Sequence, residues 1–145
     1  MIDISDKKEV AREALASGFI HLSEESLKAI ADNTVKKGDV LATAKVSGVM
    51  AAKHTPDIIP FCHPIPLQKV VVTFAIHKDG IEAKCSVRAS YLTGVEMETL
   101  ACVSAALLTI WDMTKYIEKD ETGNYPDTRI TDIRVIRKVK NATHT

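Results

Sequence analysis

EVAREALASGFIHL, residues 9–22, is open to two readings that lead to different architectures. Its alanines, glutamates and arginine favour a helix, whereas Val10, Arg12, Ala14 and Ala16 recur at period two, the spacing that lines one face of a strand. We read it as a strand, and the rest of the chain then falls into place around it. SEESLKAIADN, residues 23–33, follows as a helix with Ser23 as its N-cap and Leu27, Ile30 and Ala31 on one face. After Gly38, DVLATAKVSGVMAAK carries Val40, Ala44, Met50 and Ala51 among small residues, a composition suited to a helix pressed closely against a sheet or another helix. In TPDIIPFCHPIPL the prolines Pro56, Pro60, Pro64 and Pro66 argue against helix and for an extended chain.

Residues 70–76 (VVVTFAI) and 81–90 (IEAKCSVRAS) flank a KDG turn, and Ile81, Ala83, Cys85, Val87 and Ala89 alternate strictly, so a hairpin with one buried side is expected. TGVEMETLACVSAALLTIWDMTK, residues 93–115, reads as one long helix, apolar in its middle and ionisable at both ends. A polar loop, EKDETGNYPDT, leads to RITDIRVIRKV, where Ile133, Val135 and Val139 at period two predict a closing strand. The order β, two helices, ββ, α, β specifies the α+β class. It is the ferredoxin-like split βαβ arrangement, an antiparallel sheet with helices packed on one face. A chain of 145 residues with 46% hydrophobic content fits a single domain over residues 1–145.

Nineteen basic and nineteen acidic residues leave no overall field to hold the molecule to nucleic acid or an anionic membrane, so anion binding has to be local. Cys62, Cys85 and Cys102 are odd in number, widely spaced and without a CxxC, which argues against a disulfide framework and a zinc site and fits a reducing cytoplasm. MIDISDKKEV lacks a signal-peptide core, and the apolar run around 101–111 is shorter than the roughly 20 residues of a membrane span, so a soluble protein is expected.

The candidate chemical groups each have a plain structural reading beside the functional one. Thr93 and Glu96 have the spacing of a capping box, which would account for Glu96, whereas Glu98 is a first-turn acid with no capping role. Asp112 and Lys115 are neighbours on the helix surface, either an exposed ion pair or a lysine whose proton affinity a carboxylate tunes. Glu98 and Asp112 are fourteen residues apart, within about 40° on one face but about 21 Å along the axis. They cannot share a small pocket in one copy; if both serve one site, symmetry-related copies bring opposite helix ends together.

Lys37-Gly38-Asp39 opens the second helix, either as a phosphate site at its N-terminus or as a cap with ordinary solvated lysines. His63, framed by Cys62 and nearby prolines, has a rigid backbone that fixes where its imidazole points, and a hydrogen-bonded structural histidine is the alternative. His21, His54 and His77 add no metal pattern, and Cys85 reads as a core residue by strand parity. Arg129, Arg134, Arg137, Lys138 and Lys140 either protect an edge strand by charge or form part of a polyphosphate cradle.

KGDVLATAKVSGVMAAK, IPFCHPIPL, TGVEMETL and LTIWDMTK, in that order and spacing, resemble the molybdenum cofactor biosynthesis protein C family of cyclic pyranopterin monophosphate synthases. The likeness runs over nearly the whole chain. It implies a ferredoxin-like lyase subunit without cofactor or metal, assembled as a homohexamer, a trimer of dimers, with active sites at subunit interfaces. The substrate implied is a cyclic dihydro-GTP intermediate made by an upstream radical enzyme; the products are cyclic pyranopterin monophosphate and pyrophosphate. Carried over by motif, the resemblance puts Lys37, His63, Asp112 and Lys115 in catalysis and Cys62, His63, Glu96, Met97 and Glu98 against substrate. Arg12, Lys53 and Lys138 join them by position. DMTK departs from the usual DMCK at a residue with no expected reactivity. The longer EKDETGNYPDT loop and the KNATHT ending, in place of a glycine-rich one, bear on the role of Lys138. On the residues alone, the rivals are a non-catalytic ligand-binding module and, against the zero net charge, an RNA binder.

Overall fold

The structure, a computed structural model, describes residues 1–141; most of the KNATHT ending lies outside them. Its elements are β1 (Val10–His21), α1 (Glu24–Ala31), α2 (Val40–Lys53), α3 (Thr55–Ile58), β2 (Lys69–His77), β3 (Gly80–Tyr91), α4 (Glu96–Glu118) and β4 (Arg129–Lys140). The sheet order is β2-β3-β1-β4 with every neighbouring pair antiparallel, the split βαβ arrangement of a ferredoxin-like fold. Residues 9–22 are indeed strand. β1 pairs with β3 along its whole length, and the burial of Ala14, Ala16 and Ile20 against a helix layer outweighs the helix propensity of its alanines.

The core lies between that face and the helices. Ile81, Ala83, Cys85, Val87 and Ala89 of β3 are buried as their alternation requires, and they meet Cys102, Val103, Ala106, Leu107 and Ile110 of α4. Full burial of each valine, leucine or isoleucine side chain contributes about 1.5–3 kcal/mol. Small residues set the distances. A Cβ at Gly18 would lie 2.8 Å from Leu107 Cδ1, and one at Gly48 would lie 3.2 Å from the Cys102 carbonyl oxygen, so α4 sits directly on β1 and α2 directly on α4. The 23-residue α4 is long and apolar enough to cross a bilayer, contrary to the expectation from its apolar run, but its buried residues form the inner wall of this core.

Three local expectations are corrected. Residues 55–58 form the short helix α3 despite the prolines, because Pro56 falls in its first turn, where a missing N–H costs nothing. Gly80 belongs to β3, opposite His77 and His21, so the hairpin turns on Lys78 and Asp79. In β4 the even alternation of Ile133, Val135 and Val139 is broken by two bulges against β1, one at Asp132–Ile133, where Asp132 has φ +59°, and one at Ile136. Ile133 and Val139 are therefore exposed, while Val135 is half-buried opposite Ala16. The second bulge also turns Lys138 onto the helix-bearing face, opposite Ala14, where it reaches Glu96 at the start of α4. Lys138→Met is expected to move the Glu96 titration upward in carbon-detected NMR; an unchanged titration would show that this lysine does not hold the carboxylate ionised.

The far end of α4 is tied down by a carboxylate absent from the candidate groups. Glu118, nearly buried, accepts from the Ser23 N–H at 3.1 Å, the Thr128 hydroxyl at 2.8 Å, and the Ser23 and Ser26 hydroxyls. Ser23 is also the α1 N-cap expected for it, accepting from the Ser26 N–H at 3.1 Å. Glu118→Ala would leave these donors without an acceptor, so a loss of about 3 kcal/mol is expected, read as a Tm lower by about 6–12 °C. A shift under a degree would refute the role.

Candidate active site

The candidate residues collect at the two ends of α4. At its N-terminal end a cavity of about 700 Å³ is bounded by Ile2 and Ile4 of the N-terminal segment, by Phe61, Cys62 and His63, and by the first turn of α4 with Glu96, Met97 and Glu98. Pro60, Pro64 and Pro66 stiffen the stretch that carries Cys62 and His63, both half-buried. α4 begins at Glu96 behind Val95, which makes no side-chain cap, so the expected Thr93–Glu96 capping box is not formed. Glu96 instead accepts from Lys138 Nζ at 2.7 Å.

Two adjacent acids thus have opposite surroundings. Glu98 is only 3% exposed; burial pushes its carboxyl above the usual range against the pull of a backbone hydrogen bond, and the Glu96 charge pushes the same way. The solvated reading of Glu98 is thereby excluded. Burial also pushes Glu96 upward, but the Lys138 hydrogen bond, its own backbone N–H and the charges of Lys138 and Arg12 outweigh it and hold Glu96 below the usual range. Burial, then the Glu98 charge, raises the Cys62 thiol above its usual range.

Beside this cavity, sharing Gly94 and Glu96 with it, is a recess of about 70 Å³ that Arg12, Lys138 and Lys140 line. Arg12 Nη2 donates to the Leu92 carbonyl at 3.3 Å, and its buried Nε has no partner among the described residues. Lys53 closes α2; because Lys37 meets Asp112 while Gly48 meets Cys102, α2 runs antiparallel to α4, and Lys53 belongs to this same end.

At the C-terminal end of α4, Asp112 stands between two ammonium groups. Lys37 Nζ donates to its Oδ2 at 2.9 Å and to its backbone carbonyl at 3.1 Å, and Lys115 Nζ lies 3.2 Å from its Oδ1. The hydrogen bonds from Lys37 and then Lys115 hold the Asp112 carboxyl below its usual range. The expected Asp112–Lys115 pair is present; the bridge from Lys37, 75 residues away in the chain, was beyond helical spacing to foresee. Asp39 caps α2, accepting from the Ala42 N–H at 3.1 Å, as one of its two readings required. All three side chains of the Lys37–Asp112–Lys115 cluster are about half exposed.

Within one chain the two groups are therefore separate, about 21 Å apart along the helix axis from Glu98 to Asp112. Sequence reasoning missed the apolar wall of Ile2, Ile4 and Phe61, although Phe61 lies within the IPFCHPIPL motif. Among the described residues, no group of three or more His, Cys, Asp or Glu side chains is placed to hold a metal ion. Comparison with known proteins gives the arrangement its context. The profile of the MoaC family matches residues 1–141. A Pyrococcus abyssi protein named probable cyclic pyranopterin monophosphate synthase is 55% identical over 140 residues, 97% of this chain and 88% of the relative. Relatives of the same name from Sulfolobus acidocaldarius and Aeropyrum pernix are each 54% identical, covering 97% of this chain and 99% and 96% of their own.

Proposed function

The chain belongs to the MoaC family, and from that premise we propose that it is a lyase of molybdenum cofactor biosynthesis that forms cyclic pyranopterin monophosphate. Its substrate is a cyclic dihydro-GTP intermediate supplied by an upstream radical enzyme, and pyrophosphate leaves as the cyclic phosphate closes. The observation that carries this reading is the pair of first-turn acids beside a cationic recess. Glu98 is pushed towards its protonated form and Glu96 towards its ionised form, and Arg12 and Lys138 stand next to them. Such a site holds a proton, accepts a proton and neutralises departing phosphate.

In this mechanism Lys115, held by Asp112, is the general acid and base, and Lys37, Arg12 and Lys53 hold phosphates, with Lys138 beside Arg12. Glu96, Glu98 and His63 orient the reacting groups or pass protons, and Cys62 and Met97 pack against substrate. Each site takes its two halves from two copies of the chain, within a homohexamer built as a trimer of dimers in the cytoplasm. Residues 1–145 act as one catalytic domain. The purified protein is expected to convert the cyclic dihydro-GTP intermediate into a product that gives pterin fluorescence after oxidation. Binding without conversion would overturn the catalytic reading in favour of a ligand-binding module.

A further inference from the structure

Lys37 reaches Asp112 from a turn, not from a helix. The Gly38 N–H donates to the Val35 carbonyl at 3.0 Å and closes a turn with Lys36 and Lys37 at its tip. Gly38 has φ +109°, a conformation that residues with a side chain rarely adopt, and the chain passes from there into α2. Val35 is buried and anchors the near side of the turn. The tip is gripped by α4. The Tyr116 hydroxyl accepts from the Lys36 N–H at 2.8 Å, and the Lys36 ammonium lies 5.2 Å from the centre of the Tyr116 ring. One residue on, Lys37 Nζ donates to Asp112. Two successive residues of the turn thus hold two side chains that are neighbours on the surface of α4.

Tyr116 directly follows the DMTK motif and is not among the candidate groups. Its contact supplies what the ion pair lacks. A half-exposed lysine–carboxylate pair is weak by itself, because water competes for both charges and a long, flexible side chain loses freedom in making it. Fixing the backbone one residue away removes part of that freedom before any ligand arrives. We propose that Tyr116 is a positioning residue for Lys37: its hydroxyl fixes the turn so that the Lys37 ammonium stays at Asp112, in place for a phosphate of the substrate. The proposal rests on the reading of Lys37 as a phosphate-holding group and names what holds it there. Lys36 is exposed, so water can replace the hydroxyl, and its loss costs position rather than fold.

Tyr116→Phe removes the hydroxyl and keeps the ring beside Lys36. It is expected to raise KM for the cyclic dihydro-GTP intermediate about two- to tenfold, the range of one neutral hydrogen bond, with kcat changed less than about twofold and Tm by less than about a degree. In a Lys37→Ala background the same substitution is expected to leave KM unchanged, because the group it positions is gone. An equal rise in both backgrounds would overturn the proposal. Carbon-detected NMR of the Asp112 carboxyl reads the contact without turnover. Lys37, more than Lys115, holds that carboxyl below its usual range, so Tyr116→Phe is expected to move its titration upward. An unmoved titration would overturn the positioning role. A moved titration with unchanged KM would keep Tyr116 as the holder of Lys37 and overturn the phosphate reading beneath it.

Discussion

Lys115→Ala is expected to lower turnover by about 10²–10⁴-fold, the usual loss for one general acid or base, without changing the association state. The physical basis is the position of its ammonium group, 3.2 Å from Asp112 Oδ1 on a carboxylate that Lys37 also holds from the other side. Asp112 fixes where the ammonium points, and about half of the lysine side chain remains exposed, available to a molecule bound against it. Because the pair lies on the outer face of α4, its loss removes no core contact, and the fold should survive. Turnover by initial rate, with sedimentation as control, checks both halves of the expectation. Near-normal turnover would remove Lys115 from the mechanism, and the proton transfers would then have to be assigned among Glu98, Glu96 and His63.

The second large effect concerns mixtures. Lys115→Ala and Glu98→Ala chains, each nearly inactive alone, are expected to recover about a quarter of wild-type activity when co-assembled in equal amounts. In random assembly about one site in four draws both intact halves from different copies. A site built within one chain would recover nothing, because every chain in the mixture carries a defect. The separation along α4 is what makes the test decisive: about 21 Å lies between Glu98 and Asp112, far more than side chains can bridge. Subunit exchange followed by an activity assay at several mixing ratios gives the measurement. A flat line at the level of the single variants would end the two-copy site.

Much of the spatial grouping of the candidate residues was legible in the motifs. Lys37, Asp112 and Lys115 meet, Glu96, Met97, Glu98, Cys62 and His63 share a cavity, and Arg12 and Lys138 lie beside them. The motifs did not disclose what surrounds those groups. The opposite shifts of Glu96 and Glu98 arise from the burial of Glu98 in the fold and from a lysine 42 positions away from Glu96, neither of which leaves a trace in the helix that carries the acids. The capping box failed for a related reason: Glu96 has a stronger, charged partner in Lys138, and the helix starts without a side-chain cap.

Alternation and helical periodicity, which are local properties of the chain, determined the buried face of β3 and the length of α4, whereas residues 9–22, ambiguous locally, became strand through pairing with β3 and burial against the helices. The face on which Lys138 stands, the burial of Glu98 and the tether at Glu118 were decided only by the tertiary structure. Each depends on a partner far away in the chain: a bulge exists only against the strand it pairs with, and a carboxylate's ionisation is set by whatever the fold has brought beside it.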